Sequence, residues 1–134
     1  MHLSYTSMAF YAFIAVGIGA AVGAWLRWGL GLWLNAIWPE LPLGTLSANL
    51  IGSFLIGFLF AFFMQHPGLA PEWRLFIFTG FLGALTTFST FSLETVTLLM
   101  RGQYFWSFSM ITLHLGGSVL MTVLGLQVYK WLHQ

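Results

Sequence analysis

Long apolar runs dominate the chain, and short polar breaks separate them. Met8 to Leu26 carries no charged residue, and neither does Leu43 to Met64. Leu75 to Leu93 is also uncharged, and its pattern continues past Glu94 to Met100. Tyr104 to Tyr129 has His114 as its one ionisable group apart from tyrosine. A helix needs about 20 largely apolar residues to cross a bilayer. The pattern therefore predicts an all-α integral membrane protein with four transmembrane helices, over about 8–33, 43–64, 74–100 and 104–130, in one domain covering 1–134.

The breaks agree with these spans. Asn35 to Pro42 contains Pro39 and Pro42, and His66 to Glu72 contains Pro67, Gly68 and Pro71. Pro71-Glu72 reads as a helix start, because proline preorganises the first turn and glutamate meets the positive end of the dipole. Arg101-Gly102-Gln103 is so short that the spans on either side must form a tight hairpin. Met1 to Ser7 lacks the positive segment of a secretory signal, so the first run is expected to be a retained helix.

Composition narrows the classes. Charged residues are 5% of the 134, against about 25% in soluble domains, and 59% are hydrophobic. Four scattered basic residues make no patch for nucleic acid. There is no cysteine, so disulfides and thiolate metal sites are excluded. Glu40, Glu72 and Glu94 are the only acids, and no catalytic set appears, so an enzyme is not expected. Orientation is nearly unbiased. Arg74 and Lys130 fall on one side of the membrane, with Arg101, and Arg27 if it lies near its helix end, on the other. Such a chain is able to insert both ways and pair antiparallel, although four charges are also few enough to decide nothing. Four spans enclose little pathway, so a dimer is expected; two antiparallel copies would reproduce what inverted repeats achieve in transporters.

Several polar residues sit inside the apolar runs. Thr45, Asn49, Ser53 and Gly57 recur every four residues and form one stripe along the second span. Helix packing explains Ser53 and Gly57, but a carboxamide deep in hydrocarbon needs several partners. Residues 80–92 read GFLGALTTFSTFS, a crowding of glycine and hydroxyl residues mid-span. Backbone leaves the helix at membrane depth only where protein or water satisfies it. Gly80, Gly83 and Thr86-Thr87 favour a local unwinding, whose carbonyls are ready ligands for a small hard cation; the alternative is a continuous helix with its hydroxyls bonded to its own backbone. Phe88 and Phe91 follow on one helical face, and their positive ring edges suit an anion, though packing against lipid or core is the commoner use of phenylalanine. His114, Ser118 and Thr122 form a stripe on the fourth span that would either line a path or bond between helices. Arg27 follows Gly19-xxx-Gly23 and has three candidate uses: drawing in anions, bonding carbonyls at the third-span break, or snorkelling to the interface. Glu94 lies about two turns after Thr87, near the membrane edge, solvated or paired.

Gly44-Thr45-xxx-Asn49-xx-Gly52-Ser53-Phe54-xx-Gly57 and Gly80-Phe81-xx-Ala84-xx-Thr87-Phe88-Ser89-Thr90-Phe91-Ser92 resemble the two signature blocks of the Fluc (CrcB-type) fluoride channels, and Gly23-xxx-Arg27 matches a weaker third. The resemblance implies an antiparallel homodimer in the bacterial inner membrane, with two fluoride pores at the interface. It implies that Phe88 and Phe91 turn ring edges to fluoride and that Asn49 is the pore asparagine. Thr45, Ser89, Ser92, His114, Ser118 and Thr122 fall among polar pore positions, and Arg27 near the pore entrance. Gly83 and Thr86 match positions whose backbone carbonyls, from both subunits, hold a structural sodium ion (Na+) at the dimer centre. Two departures stand out: Ala84 replaces a common second glycine, and His114 replaces another hydrogen-bonding aromatic or polar residue.

The function this implies is passive, selective export of fluoride from the cytoplasm, protecting against its toxicity. Fluoride is strongly hydrated, so a pore must replace its water with many donors, and a site without a fixed cation lets the ion leave. The nearest rival is a small multidrug/proton antiporter, which needs a deep carboxylate, usually in the first span; here that span has none. A second rival, a non-conducting assembly subunit, would explain the small-residue faces but not the TTFSTF block.

Overall fold

The computed structural model describes residues 4–134. The reading of the chain start falls partly on residues 1–3, outside that range; from Tyr5 onward the first span is helical. All regular structure among the described residues is helical, in four spans: Tyr5–Leu34, Leu43–Gln65, Pro71–Met100 and Tyr104–Leu132. Each runs slightly past the predicted limits at one or both ends. Ser4 Oγ accepts the Ser7 N–H at 3.3 Å and starts the first span early. At the second span Pro42 has no capping side chain, and Asn35 Oδ1 supplies the cap from outside, accepting from Gly44 N at 2.8 Å and Thr45 N at 3.2 Å. The tight hairpin between the last two spans turns at Gly102, whose φ of 73° suits glycine.

The spans pack in two close pairs through glycine. A Cβ at Gly57 would strike the Thr122 carbonyl, and one at Gly125 the Phe54 carbonyl, so the second and fourth spans meet backbone to backbone. The first and third spans do the same: Gly19 lies against the Phe76 carbonyl, Gly23 against the Phe81 carbonyl, and Gly80 against Val16 O, which a Cβ would approach to 2.7 Å. Two buried clusters then fix the two halves of the third span. Leu82 and Leu85 pack with Ala48 before its midpoint, and Phe91 and Leu98 pack with Met110 after it. Wider π-helical winding occurs at Leu75–Leu82 and at Thr112–Gly116, the second of which carries His114. Such winding recurs beside functional sites.

Candidate functional site

The third span breaks where its sequence suggested. Helix ends at Leu85, Thr86 (φ −86°, ψ 155°) and Thr87 (φ −149°, ψ 122°) are extended, and helix resumes at Phe88. A break at membrane depth exposes backbone groups that hydrocarbon cannot satisfy, and the neighbouring spans supply partners. Arg27 Nε donates to Ala84 O at 3.0 Å. Of its three candidate uses, the geometry shows the carbonyl bond. Thr87 Oγ1 accepts the Thr90 N–H at 3.1 Å and caps the second half. No hydrogen bond among the described residues reaches the carbonyls of Gly83 or Thr86.

Asn49, buried on the second span, clamps the break from the other side. Its Oδ1 accepts from Thr87 N at 2.7 Å, and its Nδ2 donates to Thr87 O at 3.0 Å. The same Nδ2 lies 2.9 Å from Nδ1 of His114. Both amide hydrogens are therefore committed within the chain. His114 is buried, and its ring stacks on Phe91 with centroids 4.6 Å apart. Phe91 in turn meets Phe88 edge to face at 5.4 Å. The two phenylalanines differ sharply in environment: Phe91 is 5% exposed and Phe88 71%.

These residues surround a cavity of about 380 Å³, open on one side, lined by Asn49, Ser53, Thr86, Thr87, Phe88, Phe91, His114 and Ser118 among others. Among the described residues, no Asp, Glu, Lys or Arg lines it. The structure thus brings together Asn49, Phe88, Phe91, His114 and Ser118 of the expected pore residues, with Gly83 and Thr86 on the same wall. The others lie off it. Thr45 donates its hydroxyl to Glu94 Oε1 at 2.7 Å, and Glu94 Oε2 is buried without a partner among the described residues. Glu94 borders a second, smaller cavity of about 190 Å³ with Glu40 and Arg101. Thr122 bonds the carbonyls of Ser53 and Ser118, each at 3.0 Å, so it joins helices. Ser89 and Ser92 are exposed outside the cavity. The wall also contains Thr87, whose capping pattern ahead of a helix was the available signal.

No cluster of three His, Cys, Asp or Glu suited to a metal exists among the described residues. The unbonded Gly83 and Thr86 carbonyls are hard oxygen donors, the chemistry a sodium ion takes.

The chain matches the CrcB-like protein family, Camphor Resistance (CrcB), over residues 14–126. It is 60% identical over 127 residues to the fluoride-specific ion channel FluC of Nitrosospira multiformis, covering 95% of this chain and 99% of that one. It is 60% identical over 120 residues to the protein of the same name from Cupriavidus pinatubonensis, covering 90% and 95%. The Pseudomonas putida protein of that name is 56% identical over 119 residues, covering 89% and 94%. Four apolar spans and such relatives make this a multi-pass protein of the bacterial inner membrane. With the matched region covering all four spans in whole or large part, the chain belongs to the CrcB family of membrane proteins.

Proposed function

We propose that the chain is a fluoride-selective channel giving passive export and fluoride resistance, as the names of its relatives suggest. One observation carries this reading: a cavity deep in the spans that bears polar groups and aromatic rings but no charged side chain. Hydroxyls and ring edges replace part of an anion's hydration, and the absence of a fixed cation lets the ion leave again. The antiporter reading needs a carboxylate in the main cavity. Of the acids in the third span, Glu72 lies in its first turn, and Glu94 borders the smaller cavity and is held by Thr45. Nothing in this pathway calls for a covalent step, so the protein is read as a channel and not an enzyme.

The working unit is an antiparallel homodimer. A cavity open on one side that carries polar groups is poorly placed against lipid, which offers them no partners. A second copy would close it, and the near-absence of charge bias permits either insertion. Gly83 and Thr86 carbonyls from both copies would hold a sodium ion at the dimer centre, joining the two breaks. Efflux from liposomes with fluoride and chloride electrodes tests the whole reading. Fast fluoride release without chloride release, and without a proton gradient, is the expected result. No fluoride release from a correctly assembled dimer would overturn it.

A further inference from the structure

We propose that the smaller cavity binds the headgroup of a phospholipid that carries both a phosphate and a primary ammonium, as phosphatidylethanolamine does. Arg101 takes the phosphate and Glu40 takes the ammonium. Nothing in this depends on what the main cavity conducts. The smaller cavity holds about 190 Å³, and its polar lining is Glu40, Glu94, Thr97 and Arg101. Opposite charges facing one small space normally pair. Among the described residues no ion pair joins Glu40 to Arg101, and neither side chain makes a hydrogen bond. The other two polar groups are already occupied or covered. Thr97 donates to its own Leu93 carbonyl at 2.8 Å. Glu94 Oε1 takes the Thr45 hydroxyl and Oε2 is buried. A guest therefore meets one free charge of each sign. A simple anion there would face Glu40, and a simple cation would face Arg101. A ligand with both charges on a short tether suits the pair.

The depth is that of lipid headgroups. The loop that carries Glu40 and the hairpin that turns at Gly102 lie at the same side of the membrane. In that loop Trp38 meets Trp106 edge to face at 5.6 Å, and Trp33 and Tyr104 are exposed at the same end. Tryptophan and tyrosine gather at the headgroup level, and basic pockets between spans hold headgroups. Leu93, on the cavity wall, is 67% exposed, and Met100, two turns on along the same helical face, is 82% exposed. Acyl chains have apolar surface to follow there, which favours a lipid over a soluble compound with the same head. Arginine binds phosphate by charge-assisted bonds, and an ammonium offers N–H donors to a carboxylate. Phosphatidylcholine has a methylated nitrogen and no such donor. Phosphatidylglycerol has no ammonium and leaves Glu40 facing an anionic head.

Native mass spectrometry and thermal melting of the delipidated full-length protein test this, with the three lipids added at matched acyl chains. One phosphatidylethanolamine should be retained per chain, roughly 10-fold or more tighter than either of the others, as one bond to a charged group implies. Glu40→Gln should bring phosphatidylethanolamine and phosphatidylglycerol to parity, and Arg101→Gln should weaken both. Equal retention of all three lipids by the wild type would overturn the proposal, and that result needs no variant to fold. A preference that survives in both variants would remove it from this cavity. O-phosphoethanolamine, the head without its chains, should not displace the lipid at equal concentration; displacement would refute the lipid as the source. An assembled dimer that takes up no lipid would also refute it, the cavity then being covered by the second copy. Fluoride efflux reports separately: neither residue lines the main cavity, so a failed lipid test leaves the channel reading standing.

Discussion

Replacing Asn49 with aspartate changes two atoms and tests the clamp on the break. The wild-type carboxamide makes three bonds: one accepted from Thr87 N, and one donated to each of Thr87 O and His114 Nδ1. Asn49→Asp keeps the first. It then sets an acceptor against the Thr87 carbonyl, 3.0 Å away in the native geometry, while His114 keeps its bond by carrying its proton on Nδ1. A lost bond that leaves buried groups unpaired costs about 1–3 kcal/mol in soluble proteins. Between transmembrane helices the average is lower, about 0.6 kcal/mol. The lost bond to the Thr87 carbonyl therefore costs about 1–3 kcal/mol. At 1.4 kcal/mol per decade, about 1–3 kcal/mol lowers the population of the clamped break roughly 5- to 150-fold. Fluoride flux from reconstituted protein should fall by a similar factor and recover in part as the pH is lowered, since a protonated carboxyl returns one donated bond. A carboxylate repelling the anion would also lower flux, so Asn49→Leu is the companion variant: it removes the clamp without adding charge. Wild-type flux from Asn49→Leu would refute the reasoning.

Three other substitutions probe the scaffold around the site. Gly23→Ala drives a methyl group into the Phe81 carbonyl and should cost about 1–3 kcal/mol or more, whereas Gly29→Ala meets nothing within 4 Å; thermal melting in detergent should separate them, and equal melting points would refute the backbone contact. Thr45→Val leaves Glu94 with neither oxygen bonded, so it should destabilise by about 1.5–3 kcal/mol in the wild type but by less in the Glu94→Gln background; an additive double-mutant cycle would deny the coupling. Arg27→Ala frees the Ala84 carbonyl and should lower both the melting temperature and the flux. If Arg27 only concentrates anions, flux alone will fall, and high salt will erase the difference.

The four spans and the break were legible because both are constraints of the bilayer. A run of about 20 apolar residues has one reading in lipid, and GFLGALTTFSTFS is hard to keep helical. Asn49 was legible for the same reason: its spacing placed a carboxamide where solvent could not serve it. Its partners were not legible. Thr87 lies 38 residues away and His114 lies 65 away, and no local pattern encodes which of many polar groups an amide will find. The Thr45–Glu94 pair was hidden in the same way: the spacing put Thr45 on a polar stripe, and not its hydroxyl against Glu94 on the third span. Thr122 shows the ambiguity of a polar stripe, since the spacing that suits a path also suits a bond across to Ser53. The asymmetry between Phe88 and Phe91 depends on how far the break rotates the second half of its span, which is a tertiary quantity.

The groups that hold the break have an order along the chain. Arg27 and Asn49 both lie ahead of Ala84 and Thr87. A chain made from its N-terminus places its first two spans in the bilayer before the third is complete. Discontinuous backbone thus enters a membrane already holding two of its donors, and it need not wait in lipid with bare carbonyls. His114 comes last, on the fourth span, and completes the far side of the Asn49 amide. A circular permutant that makes the third span first would reverse this sequence. Its native contacts would be the same, yet its break would be made before anything was there to receive it.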